Sequence, residues 1–77
     1  MKVQVHLLGE LSRFTNGQSH FEMILYYSDT VIDVLRKLKI PDSELFSIFI
    51  NNKLVIRQRV ILNEGDKIVF LPAVGGG

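Results

Sequence analysis

Only one stretch of the chain carries apolar residues at helical spacing. In SDTVIDVLRKLKIPD, residues 28–42, Val31, Val34, Leu35 and Leu38 recur along one helix face. The segments around it alternate, or run apolar over lengths that suit strands. A single helix can cover only one face of one sheet. A chain of this kind leaves the other sheet face uncovered, so that face is where function is sought first. Asp29 or Thr30 is placed to cap the helix start, with Asp33 completing a capping box three residues after Thr30. Arg36, Lys37 and Lys39 fall in the last turns, where the helix dipole favours cations. Pro41 is expected to end the helix.

The strands follow from period two. In KVQVHLL, Val3, Val5 and Leu7 point one way and Lys2, Gln4 and His6 the other. GELSRFTNGQSH is a polar connection holding the turn pair Asn16-Gly17, expected to contain a short helical turn with Leu11 and Phe14 tucked inward. FEMILYY, residues 21–27, reads as a second strand, antiparallel to the first, with Tyr26 and Tyr27 packing in the sheet. FSIFI, a tight Asn51-Asn52 turn and KLVI make the next hairpin. RQRVILNEGD connects it, through the turn Glu64-Gly65-Asp66, to KIVFL, which Pro72 closes. The order predicts an α+β domain, β-β-α-β-β-β, with a mixed sheet of four to five strands on one helix. It occupies residues 1–77 as a single domain, and residues 73–77 form a flexible tail.

Several function classes are excluded by composition. The chain has no cysteine, so a disulfide framework, a thiolate metal site and a cysteine nucleophile are absent. Nine basic and eight acidic residues provide no drive toward nucleic acid; Arg57 and Arg59, the densest basic spot, read as solvent contacts. No apolar run approaches the roughly 18 residues that span a bilayer. MKVQVHLLGEL alternates and carries Glu10, unlike a signal peptide, so the cytoplasm is the expected compartment. His6 and His20 lack a carboxylate or cysteine partner and are expected at the surface rather than on a metal. No phosphate loop or strained nucleophile turn is present. The domain is expected to catalyse nothing and to bind no metal or cofactor of its own.

Alternation also sorts the uncovered face. Lys67 should face water, so Val69 and Leu71 share its side while Ile68 and Phe70 face the helix. Ile48 and Ile50 read as core, leaving Phe49 outside. Phe49, Val69 and Leu71, with Pro72 and Val74, form the expected partner-binding patch. That patch leads into the ending FLPAVGGG. Pro72 biases Leu71 toward extended conformations, and the glycines beyond carry no side chains. Five residues after Pro72 reach roughly 15 Å, far enough to thread Gly75 and Gly76 into a narrow channel. The carboxylate of Gly77 is then the reactive group. As an anion it resists nucleophiles. A partner holding ATP can convert it to an acyl adenylate, from which sulfur displaces AMP to leave a thiocarboxylate, or an amine displaces it to form an isopeptide.

LGELSRFTNG and NEGDKIVFLPAVGGG together resemble the ubiquitin-like β-grasp sulfur carriers of the MoaD/ThiS family, which comprises molybdopterin synthase small subunits and thiamine-pathway carriers. The first segment is similar to the family's loop after strand one. In the second, Gly65-Asp66 match its turn, Pro72 its first proline, Val74 its valine and Gly76-Gly77 its terminal pair. Ala73 and Gly75 depart from the usual proline and alanine or serine. The resemblance implies a non-catalytic carrier. A ubiquitin-activating-enzyme-like adenylyltransferase using ATP and magnesium would form the adenylate on Gly77, and a sulfurtransferase system would supply sulfur. The acceptor would be the molybdopterin synthase large subunit, the proline-valine ending and long first loop favouring that branch over thiamine synthesis. The alternatives are another thiolation pathway, a protein modifier joined through Gly77, and a passive interaction domain.

Overall fold

The computed structural model describes residues 1–56 and 59–73. The alternating N-terminal run forms β1 (Lys2–Leu7), with Val3, Val5 and Leu7 buried. The polar connection is a 3-10 segment, Gly9–Thr15, that buries Leu11 and packs Phe14 against the core. It closes on Asn16 in the left-handed conformation. The chain then returns antiparallel as β2 (His20–Ile24), paired from His6↔His20 to Lys2↔Ile24.

β2 stops short of the two tyrosines. Leu25 is buried and its N–H donates to the Met1 carbonyl at 2.7 Å. The chain then turns on Asp29, whose carboxylate accepts the Tyr26 N–H at 3.0 Å and Lys37 Nζ at 2.9 Å. Those two bonds, the lysine's first, hold the Asp29 carboxyl below the usual carboxylate range. Tyr26 and Tyr27 therefore leave the sheet and stand 77% and 78% exposed, against the expectation that they pack in it. Their β propensity is overridden by the hydrogen bonds that the Asp29 turn offers the backbone.

The helical segment forms α1 (Val31–Leu38), burying Val31, Val34 and Leu35 against the sheet. Thr30 caps it, and Asp33 reaches back to the Thr30 N–H at 2.7 Å. Lys39, at φ 60°, ends it with its N–H on the Arg36 and Leu35 carbonyls. Termination thus falls two residues before Pro41, and Ile40 folds back into the core.

A short 3-10 turn (Asp42–Glu44) leads into β3 (Leu45–Ile50). Asn51 and Asn52, at φ 51° and 70°, provide the two positive-φ positions of a tight hairpin turn. The hairpin returns as β4 (Lys53–Val55). The last strand, β5 (Lys67–Pro72), inserts between the two hairpins, parallel to β1 and antiparallel to β3. The sheet order is β2-β1-β5-β3-β4. The entry to β5 is fixed by Asp66, whose carboxylate accepts the Asn63 N–H and Asn51 Nδ2, both at 2.8 Å. Ile68 and Phe70 of β5 are fully buried beneath α1, with Ile48 beside them. Among the described residues, no helix is long and apolar enough to cross a membrane.

Candidate functional site: the open sheet face and the C-terminal root

Register assigns the side of the sheet that α1 does not cover. Phe49 lies opposite Val69, Val69 opposite His6 and His6 opposite His20, while Phe49 also faces Leu54 across the Asn51-Asn52 hairpin. One row thus crosses all five strands in the order His20, His6, Val69, Phe49, Leu54. Leu71, opposite Ser47, extends it toward the end of β5. Phe49, Val69 and Leu71 are each half-buried by their cross-strand neighbours, and Leu54 is 59% exposed. The neighbouring row, Glu22, Gln4 and Lys67, is polar. Lys2 pairs with Glu22 at 3.6 Å. On the open face Val69, Phe49, Leu54 and Leu71 thus form an apolar group over β5, β3 and β4, while β1 and β2 present mainly polar side chains, with Ile24 an exposed apolar exception opposite Lys2.

The histidines mark the boundary. Both are expected at the surface, and His20 is exposed there. Their rings stack across the hairpin at 3.8 Å between centroids with a 30° tilt, and His6, contrary to a surface position, is half-buried. Its Nε2 is buried with no hydrogen-bond partner among the described residues. Burial, then the neighbouring His20, then Lys67 push the His6 pKa below its ordinary value. Stacked rings turn their faces toward each other, not their nitrogen lone pairs, so the pair is not arranged to chelate. Among the described residues no group of three or more histidine, cysteine, aspartate or glutamate side chains is placed to hold a metal.

Pro72 belongs to a different surface from Leu71. Alternation along β5 turns it to the other side, where it packs on Gly9 at the start of the 3-10 segment. A Cβ on Gly9 would meet Pro72 Cγ at 2.8 Å, and Gly9 has φ +57°, so glycine is required there twice over. On its far edge Pro72 lies opposite Leu45, where a bulge between Leu45 and Ser47 shifts the register. The next residue, Ala73, donates its N–H to the Glu44 carbonyl at 2.8 Å. Glu44 is held in turn by Arg13, Nη2 to Oε2 at 2.8 Å. Val74, Gly75, Gly76 and Gly77, expected to complete the patch and the threading tail, lie outside the described residues, as does Arg57.

Sequence reasoning missed three features of this region. Leu54 was within reach: a two-residue turn after Ile50 pairs Ile50 with Lys53 and hence Phe49 with Leu54. The contact of the histidines was visible only as a possibility, since it depends on the register of a hairpin with a twelve-residue connection between Leu8 and Phe21. The grip on Pro72 by Gly9 had no local signal. It arises because β1 and β5 run parallel, which brings together residues from opposite ends of the chain.

The chain's likeness to known proteins agrees with this geometry. A family model described as the ThiS family matches residues 5–77. No curated protein sequence matches the chain. Among solved structures, the small archaeal modifier protein 1 of Haloferax volcanii superposes with a TM-score of 0.76 at 16% identity, over 95% of this chain and 98% of that one. The Haloferax volcanii HVO 2177 protein gives a TM-score of 0.80 at 24% identity, over 100% and 87%. A chain from the complex of subunits 1 and 2 of the Helicobacter pylori molybdopterin-converting factor gives 0.66 at 23% identity, over the full length of both. At these identities the solved structures establish the shared ubiquitin-like β-grasp fold.

Proposed function

The chain belongs to the ThiS family, and on that premise we propose that it is a sulfur carrier that works through the carboxylate of Gly77. An adenylyltransferase partner resembling ubiquitin-activating enzymes transfers AMP from magnesium-bound ATP to this carboxylate and releases pyrophosphate. Sulfide attacks the acyl carbon, the carbon–oxygen bond to AMP breaks, and a thiocarboxylate remains; where a sulfurtransferase presents the sulfur as a persulfide, the acyl disulfide first formed is cleaved by a thiol, which takes the sulfurtransferase sulfur into a new disulfide and leaves the thiocarboxylate. The chain itself contributes no catalytic side chain to these steps. It presents its end, with Gly75 and Gly76 passing through the partner's channel, and it docks. Its working compartment is the cytoplasm.

The observation that carries this reading is the continuity of the apolar row with the C-terminal root. Phe49, Val69 and Leu54 are contiguous on the face opposite α1, which no described element covers, and Leu71 leads from them along β5 toward Pro72 and Ala73. A partner seated on that row has the chain's end within reach. The preferred acceptor is a molybdopterin synthase large subunit, since a relative of the same fold is solved as a complex of two converting-factor subunits. Thiamine synthesis or another thiolation pathway would use the same chemistry.

A second reading has its own support, in the likeness to an archaeal modifier protein: Gly77 attacked by lysine amines to form isopeptides. Mass spectrometry of the protein from its native host separates the two. The carrier reading expects intact protein heavier by the difference between sulfur and oxygen, the change mapping to Gly77. Isopeptide-linked targets without any thiocarboxylate form would reject it in favour of the modifier. Deleting Gly75, Gly76 and Gly77 together addresses both, since loss of Gly77 alone leaves a glycine pair at the end: if sulfur transfer and conjugation both persist, the terminus is idle and the chain is a passive interaction domain.

A further inference from the structure

Two segments that the proposed chemistry does not use close around the point from which residues 74–77 depart. Arg13, in the Gly9–Thr15 segment, reaches Glu44 in the short turn before β3 at 2.8 Å. The same guanidinium donates from Nη1 to the Glu10 carbonyl at 3.1 Å and lies 4.5 Å over the Phe14 ring. Those contacts hold the arginine's planar fork in one orientation before it meets Glu44, so less freedom is lost on pairing. The backbone of Glu44, in turn, carries the Ala73 amide. Pro72 has no N–H to give, and β1 no longer pairs beyond Phe70. The Ala73–Glu44 bond is thus the last described hydrogen bond on the C-terminal segment.

We propose that Arg13 is a positioning residue: by bridging to Glu44 it holds the Ala73 amide in place and sets the direction in which the C-terminal residues are offered to an adenylating partner. The two side chains are 48% and 36% exposed, and an exposed ion pair adds little to global stability. β5 is already fixed by ladders to β1 and β3. The pair acts instead on the bond that closes the Leu45↔Pro72 end of the β3–β5 ladder, where a small local change decides the outcome. Gly9 on the opposite flank lets Pro72 approach and supplies the fixed side against which Arg13 and Glu44 hold the other. This rests on the carrier reading above for its purpose, though not for its geometry.

Amide hydrogen exchange by NMR on the full-length free protein tests the geometry without any partner. Arg13→Glu faces Glu44 with a like charge and is expected to lower the protection of the Ala73 amide about tenfold, with Ile68 and Phe70 unchanged. Glu44→Arg is expected to do the same, and the exchanged pair Arg13→Glu with Glu44→Arg to restore protection. Unchanged Ala73 protection in both single variants, or no recovery in the double variant, overturns the proposal. Turnover then tests the purpose, through ATP–pyrophosphate exchange by the host's own adenylyltransferase. The single variants are expected to lower kcat with KM for the carrier held, and the double variant to recover it. A loss confined to KM would make Arg13 a docking contact and overturn the positioning role, as would full activity in the single variants. If the chain lacking Gly75, Gly76 and Gly77 supports the exchange as well as the complete chain, the carrier reading fails, whatever the Ala73 amide shows.

Discussion

His6 is the residue whose setting most departs from what its neighbours in sequence suggest. Its ring is stacked on His20, and its Nε2 is buried without a partner among the described residues. The folded state holds its pKa below 6.5, so the folded chain takes up a proton less readily than the unfolded one. The sign follows: the contribution of His6 to stability is complete above a pH of about 6.5 and is lost as pH falls through the window below it, down to the depressed folded value. Urea midpoints measured from about pH 8 to about pH 5 are expected to decline in acid, and less steeply in His6→Phe. Equal slopes in the two proteins would remove His6 as the cause. Gly9 allows a second measurement. Gly9→Ala combines a positive φ with the Pro72 contact and should cost about 2–3 kcal/mol in chemical denaturation. Gly17→Ala, at φ +89° with nothing within 4 Å, should cost only about 1 kcal/mol. The difference measures the Pro72 contact. At this scale the core positions were legible, because Val3, Val5, Ile68 and Phe70 obey a period that needs no partner to read. Gly9 and His6 were not, because what they touch is decided by pairing between distant segments.

Among the elements, the helix start was the most readable feature, since a capping box is written within four residues. Thr30→Ala removes the hydroxyl half of that box and is expected to lower stability by about 1 kcal/mol, read as a shift in the denaturation midpoint. A midpoint unchanged by the substitution would show that the Ile61 bridge to Thr30 and the Val31 N–H to the Val60 carbonyl hold the helix entry alone. The element ends were less readable. FEMILYY carries strand-forming side chains to Tyr27, yet Asp29 draws the backbone out of the ladder after Ile24. Lys39 adopts the left-handed cap two residues ahead of the proline expected to stop the helix. In both cases the deciding interaction is a local hydrogen bond that competes with the regular one, and propensity does not weigh that competition.

For the molecule as a whole, the two faces of the sheet should respond differently to substitution. Phe70 is fully buried under α1, and Phe70→Ala should cost about 3–5 kcal/mol, a large share of the 5–15 kcal/mol that holds a typical domain together. Phe49, on the uncovered face, is only half-buried. Phe49→Asp is expected to leave a folded protein by circular dichroism while weakening binding to an adenylyltransferase at least about tenfold, as for a central interface aromatic. Unfolding by Phe49→Asp would mean the face is not open. The order of elements was legible from the single helical period, but the sheet order was not, because alternation says which side a residue faces and nothing about which strand lies beside it. That order has a consequence for biosynthesis. β5 is the seam between two hairpins that do not otherwise touch in the sheet. A nascent polypeptide halted on the ribosome before residue 67 owns both hairpins and the helix, yet lacks the strand that joins the hairpins into one sheet, and its apolar surfaces stay open to proteases and chaperones. A folded copy in the cell is thus one whose synthesis has passed through the whole of β5.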